Sequence, residues 1–290
     1  MAADIILLTV AFAALVISSV TDIKTREVPD WLNFSLIFIG LGVRAIYSSM
    51  LFDWAYLLEG FFGLIAAVII GYLMFYLGQW GGGDSKLLMG LGALIGLKLT
   101  LAPVPLLLLL LLNIIVMGSF YGLSYTIIKA IAHKDEFVKE FKKYFKSEKR
   151  ARLHKYFAVL SAVLLFASLF VPGDFIVRIL LLILVIFLYL SVYVVFFVKA
   201  VEKVAMLKKV FPEQLTEGDW IAEDVKVGNR VIAGPKDLGV SKAQIKKLIA
   251  YKKKGRIRKI LIKYGIPFVP SFLIAFILSL VIGNWLSLFF

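Results

Sequence analysis

The sequence predicts an all-α polytopic membrane protein of about eight transmembrane helices, with one small α+β domain on the cytoplasmic side. Three observations predict it. Of the 290 residues, 61% are hydrophobic and the mean hydropathy is +0.92, too apolar to cover a water-soluble domain of this length. The apolar residues gather into runs close to the ~20 residues that a helix needs to cross a hydrocarbon core of ~30 Å. The net charge of +14 is concentrated between the runs.

The runs are 4–22, 31–50, 55–78, 85–101, 103–128, 155–171, 175–198 and 264–289, the sixth being short enough for a tilted or interfacial segment. The first is not a cleavable signal peptide: its only early charge is Asp4, and Lys24 and Arg26 follow it. This charge order places the N-terminus outside. Alternation then puts residues 23–30, 79–84, 129–154 and 199–263 in the cytoplasm, and 50–55, about 98–103 and 171–175 outside. Of the 33 Lys and Arg, only Arg44, Lys98 and Arg178 fall in or near the outer half, as the positive-inside rule requires. The basic charge therefore reads as cytoplasmic retention, with membrane lipids and not nucleic acid as the partner. The chain divides into a core at 1–128 with five helices, a basic helix at 129–154, two helices at 155–198, an α+β domain at 199–263 and a last helix at 264–290.

The basic segment 129–154 sets Phe137, Phe141, Tyr144 and Phe145 on one side and Lys on the other, a pattern suited to an anionic headgroup layer. In the α+β domain, Trp220-Ile221-Ala222 and Arg230–Ala233 read as strands separated by a Gly228-Asn229 turn. Ser241 with Gln244 reads as a capping box for a helix running to about Lys254 and ended by Gly255. Arg258 to Ile262 alternates as a third strand.

The composition narrows the chemistry. There is no Cys and only two His, His133 and His154, both in the basic stretch. Thiol nucleophiles, disulfides and ordinary zinc sites are excluded, and neither a metal nor a cofactor is expected. Carboxylates beside membrane spans are costly and each requires an account. Asp4, Asp53, Glu59 and Asp174 lie near outer boundaries and read as solvated loop charges. Asp22 ends the first run and Asp84 opens the fourth, directly after Gly81-Gly82-Gly83, so both fall at cytoplasmic helix ends.

Their settings differ. Asp22 faces the negative end of its own helix, which disfavours ionisation, whereas Asp84 at a helix start is favoured as an anion and also reads as an ordinary N-cap. A pair with opposite biases can share one proton. It can then position a water, take a proton from it and donate one to a developing oxyanion. The glycines next to Asp84 read either as a rim open to an extended peptide or as a flexible loop.

Two stretches carry a resemblance. Asp22 to Leu32 reads DIKTREVPDWL, and Gly81 to Leu88 reads GGGDSKLL. They resemble the signature regions of the archaeal preflagellin and type IV prepilin peptidases, membrane aspartyl proteases of GxGD type. Lys24, Arg26 and Pro29 follow the first aspartate, and Gly81, Gly83, Asp84, Lys86 and Leu87 fit GxGDxKL. The run Gly265 to Pro270 is similar to the C-terminal region of the archaeal branch. The absence of Cys and the short first loop also favour that branch.

The resemblance implies that Asp22 and Asp84 are the catalytic pair, with Gly81, Gly83 and Lys86 as motif residues. It implies an endopeptidase that removes short basic leaders from archaellin or type IV pilin precursors at the cytoplasmic face of the plasma membrane. On this reading Glu27 and Asp30 attract the leader or Asp30 caps the second span. Lys86 holds a substrate carbonyl or a lipid phosphate, and Trp80 anchors at the interface. The alternatives are a presenilin-like intramembrane protease, against which Thr21 stands where that family has Tyr, an ion-coupled transporter using Asp22 and Asp84, and a lipid-binding scaffold.

Overall fold

The computed structural model describes residues 2–99, 104–146, 148–168, 170, 175–228 and 230–283. Asp174, Asn229, most of the expected 98–103 and 171–175 loops and the end of the last apolar run lie outside this set, as does the Phe145 side chain. In chain order the elements are α1 (Ala2–Thr25), α2 (Asp30–Leu51), α3 (Ala55–Tyr76), α4 (Gly82–Ile95), α5 (Leu106–Ala132), α6 (Lys134–Lys146), α7 (Glu148–Ser168) and α8 (Phe175–Val201). Then come β1 (Leu207–Val210), β2 (Trp220–Ile221), β3 (Val225–Val227), β4 (Arg230–Ala233), α9 (Lys242–Lys253), β5 (Ile260–Lys263) and α10 (Val269–Val281).

The chain is thus mostly helical with a small strand-containing region. Among the described residues, five helical segments are long and apolar enough to cross a membrane: α1, α2, α3, α5 and Phe175–Met206. The other three apolar runs form shorter helices or parts of helices. The fourth run yields only 14 helical residues, about 21 Å at 1.5 Å per residue, because Gly96 turns to φ +73°. The last run starts late because residues through Phe268 precede the helix, whose second position is Pro270.

The structure divides into two compact units, the first made of residues 1–124, 212–258 and 265–290. Its core is the bundle of α1 to α4, the first part of α5, and α10. Each helix buries one stripe. In α1 the stripe is Leu7, Ala11, Ala14, Leu15, Ser18 and Asp22; in α2 it is Leu36, Gly40, Arg44 and Ser48, every fourth residue. The stripe of α3 is Gly60, Gly63, Ala67 and Gly71. Small residues let backbones approach in lipid, where apolar side chains gain nothing from leaving water. At the α3–α4 crossing a Cβ on Gly63 would meet the Gly92 carbonyl, and one on Gly92 would meet that of Gly63. This contact holds α4 against α3, while its other flank packs on α2.

Arg44, expected in or near the outer half, is 2% exposed, which the sequence did not indicate. Its guanidinium donates to the carbonyls of Tyr56, Leu94 and Ile95 at 2.8–3.1 Å, lies over the Tyr56 ring and pairs with Glu59 at 3.6 Å. It therefore supplies donors and positive charge to the C-terminus of α4, where carbonyls lack intrahelical partners. Glu59 and Asp4 are likewise not simple solvated charges: Glu59 faces Arg44, and Asp4 accepts from the Tyr56 hydroxyl. Asp53 accepts from the Ala55 N–H at the start of α3.

In the same unit, β3 and β4 form an antiparallel hairpin about Gly228 at φ +60°. The expected strand at Trp220-Ile221 is present as β2, but the Gly228 turn joins β4 to β3, a strand that the sequence pattern did not indicate. The expected cap of α9 is present: Ser241 Oγ accepts from the Gln244 N–H, and the Gln244 side chain accepts from the Ser241 N–H. Gly255 follows the helix at φ +68°.

The second unit comprises residues 125–211 and 259–264. Residues 129–154 do not form one helix but run from the end of α5 through α6 into α7. The aromatic face of α6 does not point only to headgroups. Tyr144 is buried on Phe196, Phe137 and Phe141 stack, and Phe137 meets Phe197 edge-on. The helix α8 ends in a π-helical turn, Glu202–Met206. β1, which the sequence pattern did not indicate, pairs antiparallel with β5 from Leu207–Lys263 to Val210–Ile260.

Candidate active site

The first aspartate sits in the last turn of α1. That helix stops because Arg26 adopts φ +59°, with its N–H bonded to the Asp22 carbonyl at 2.9 Å. A left-handed residue closing a helix C-terminus is usually Gly, so an Arg there carries a conformational cost on the order of 1 kcal/mol. The turn sends Val28 inward, 7% exposed, and Pro29 then precedes α2.

The second aspartate is not an N-cap. Gly81 is the N-cap of α4, and Asp84 lies in the first turn, its Oδ2 accepting the Gly81 N–H at 3.0 Å. This is the half of a capping box that a glycine N-cap allows. Gly81 is extended and Gly82 and Gly83 are helical, so the triple glycine forms the start of α4 and not a loop before it. Gly83 is required by proximity: a Cβ there would lie 3.3 Å from the Val28 backbone nitrogen and Cβ. Val28 therefore brings the end of α1 onto the start of α4. Asp22 comes within electrostatic reach of Asp84.

Asp22 itself is 5% exposed. Its Oδ2 accepts the Val269 N–H at 2.9 Å, the first N–H of α10. The expected bias is thereby altered. Asp22 lies at the C-terminus of its own helix, but its carboxyl meets the N-terminus of another. Both aspartates thus face the positive end of a helix dipole.

Lys86 is tied to Asp30 at 2.7 Å and lies over Phe34, and Asp30 opens α2 without capping it. Both partners are well exposed, so the pair adds little stability but links α2 to α4 beside Asp84. Trp80 is no interfacial anchor: it is 5% exposed and meets Phe272 edge-on at 5.2 Å and Phe268 at 6.3 Å between ring centroids.

The segment 212–258 leans on both links that lead to the aspartates. The Trp220 ring lies over Gly78, where φ is +67° and a Cβ would sit 3.1 Å from the ring. Asp219 lies near Glu27. Burial raises the Asp219 carboxyl above the usual carboxylate range, its bonds with Thr216 oppose this, and Glu27 adds repulsion.

Of the residues singled out in the sequence, the structure thus groups Asp22, Asp84, Gly81 and Gly83, and places Lys86 two residues beyond Asp84 on a separate partner. The Val269 N–H and the Trp80–Phe268–Phe272 wall went unread because they join segments far apart in the chain. The Gly265 to Pro270 run was the available signal.

Residues 9–123 match the model of the type IV leader peptidase family. That region takes in both aspartates, the triple glycine, Lys86 and Arg44. The chain is similar to the preflagellin peptidases of Methanocaldococcus jannaschii, 42% identical over 81 residues, and Methanococcus maripaludis, 44% over 82 residues. That of Methanococcus voltae is 40% identical over 86 residues. These alignments cover 28–30% of this chain and 34–36% of each relative. The match thus spans about a third of the relatives' length. In the leader peptidase region the two aspartates belong to α1 and α4, while α10, which supplies the Val269 N–H, lies beyond it.

Proposed function

We propose that the protein is a membrane aspartic endopeptidase that removes basic leader peptides from archaellin or type IV pilin-like precursors. The observation that carries this reading is the approach of Asp22 to Asp84 within the leader peptidase region. The match of that region to the family, and the name of the similar methanogen proteins, supply the substrate class.

In the reaction, a water between the carboxyls attacks the scissile carbonyl carbon. The ionised aspartate takes a proton from that water, and the protonated one gives its proton to the carbonyl oxygen. As the tetrahedral intermediate collapses, the C–N bond breaks. The leaving nitrogen takes the first proton, and the second returns from the hydroxyl to its aspartate. One water is consumed, and the pair is restored.

The charge order along the chain supports an outside N-terminus and a cytoplasmic site, with all eight apolar runs crossing or entering the bilayer. On this topology residues 129–154 and 199–263 are cytoplasmic, and Glu27 and Asp219 lie where a basic leader arrives.

Asp22→Asn and Asp84→Asn are each expected to lower cleavage of a co-expressed preflagellin precursor at least 1,000-fold, an order typical of losing one member of a catalytic unit. Both variants should still insert and fold. Mass spectrometry of the precursor reads the outcome, and full cleavage by either variant rejects the mechanism.

A further inference from the structure

The last helix carries no ionisable residue and lies outside the family match, yet its first N–H is bonded to Asp22. Three features make this a built contact. Pro270, the next residue, has no N–H, and the Ser271 N–H turns back to the Phe268 carbonyl. The Phe268 N–H also faces the Asp22 carboxylate, and of the first three helical positions Val269 alone offers it a donor. The Phe268 ring is rooted: it occupies a notch at Gly118, where a Cβ would collide with it, and packs on Phe272. The helix behind it is fixed, because Phe272, Ala275 and Phe276 are fully buried with Leu7, Ala11 and Leu15 of α1. Ser279 accepts from Asn113 of α5 at 2.8 Å.

We infer that the N-terminus of α10 is a positioning element for the reaction: the Val269 N–H, aimed by Phe268 in its Gly118 notch, orients the Asp22 carboxylate and keeps the pair's negative charge on it. This rests on the proposed peptidase function. Asp22 is then the base that takes the proton from water, and Asp84 is the acid that donates to the carbonyl oxygen. The charged groups that face Asp22 are Asp84 from α4 and Arg26 from its own helix. On α2, Asp30 is committed to Lys86 and Arg44 to the far end of α4. Arg26 favours the anion on Asp22. Asp84 has the Gly81 N–H and, among the described residues, no cation acting on it.

The test uses the full chain in lipid nanodiscs with a preflagellin precursor as substrate. Replacing the Val269 amide by an ester, with α-hydroxyisovaleric acid at that position, deletes the N–H and leaves every side chain in place. A hydrogen bond to a charged group is lost, so kcat is expected to fall about tenfold or more, with KM within twofold. The acid limb of the pH–rate profile is expected to move to higher pH. Phe268→Ala and Gly118→Ala should reproduce both changes, and Phe268→Leu should restore most of kcat.

An ester variant with wild-type kcat and an unmoved acid limb, beside an inactive Asp22→Asn, overturns the inference and leaves the peptidase reading standing. A loss of kcat equal at every pH also overturns it, since a merely structural defect does not move the limb. An active Asp22→Asn removes the peptidase reading and the inference together.

Discussion

The helix α8 and the helices around Asp84 obey opposite rules. Together with its π-helical extension, α8 is the most apolar of the five long segments and the least buried. Leu184, Ile186 and Phe187 are all more than half exposed. By contrast α1 and α2 bury Asp22 and Arg44, each hydrogen-bonded to another helix. In a bilayer, hydropathy reports contact with lipid, while the interior of a bundle is where polar groups can find partners. The two aspartates follow the second rule.

The comparison is most sharply broken at Arg44. Arg44→Met should remove three carbonyl contacts and strand Glu59, costing about 3–5 kcal/mol, the range for breaking a buried pair by deleting one partner. Thermal unfolding in detergent measures this, and an unchanged midpoint would make the buried polar interior dispensable.

Next is the α3–α4 crossing, where Gly92→Val forces two backbones apart and should cost about 1–3 kcal/mol in the same assay.

A smaller effect is expected at Asp219, whose carboxyl is raised by burial. With its folded value above the unfolded one, the native state binds more protons between the two values, so stability falls as pH rises through that window. Asp219→Asn should therefore stabilise the protein at pH 7, and the gain should vanish below the unfolded value near 3.8. Unfolding curves of both proteins at pH 3.5 and pH 7 check the sign.

The smallest effect is at the opposite pole: Phe187→Leu on the exposed face of α8 should stay within about 0.5 kcal/mol.

The two aspartates were legible in the sequence because each combines a charge with a helix boundary, and boundaries are written locally. The Ser241–Gln244 cap was legible for the same reason, and so, to within a few residues, was β5. Longer-range facts were not. The burial of Arg44 was not legible, because hydropathy gives a residue's place along a span and not the carbonyls that await it from α3 and α4. The triple glycine was read as a peptide-accepting rim or a flexible loop, and its contact with Val28, more than 50 residues away, is not written in its own stretch. Lys86 was read as awaiting substrate or lipid, since nothing nearby in the chain announces Asp30 as its partner. The short α4 was hidden within a longer apolar run that Gly96 interrupts.

The bond from Val269 to Asp22 spans 247 positions of the chain, and this has a consequence for synthesis. At ribosomal speeds of 5–20 residues per second, Asp22 waits roughly 12–50 seconds before its partner is even polymerised. A nascent protein can thus carry Asp22 and Asp84 in the membrane while the Asp22 carboxylate still lacks the Val269 N–H. Chains that stall before the final helix would stay in the membrane without this last clasp.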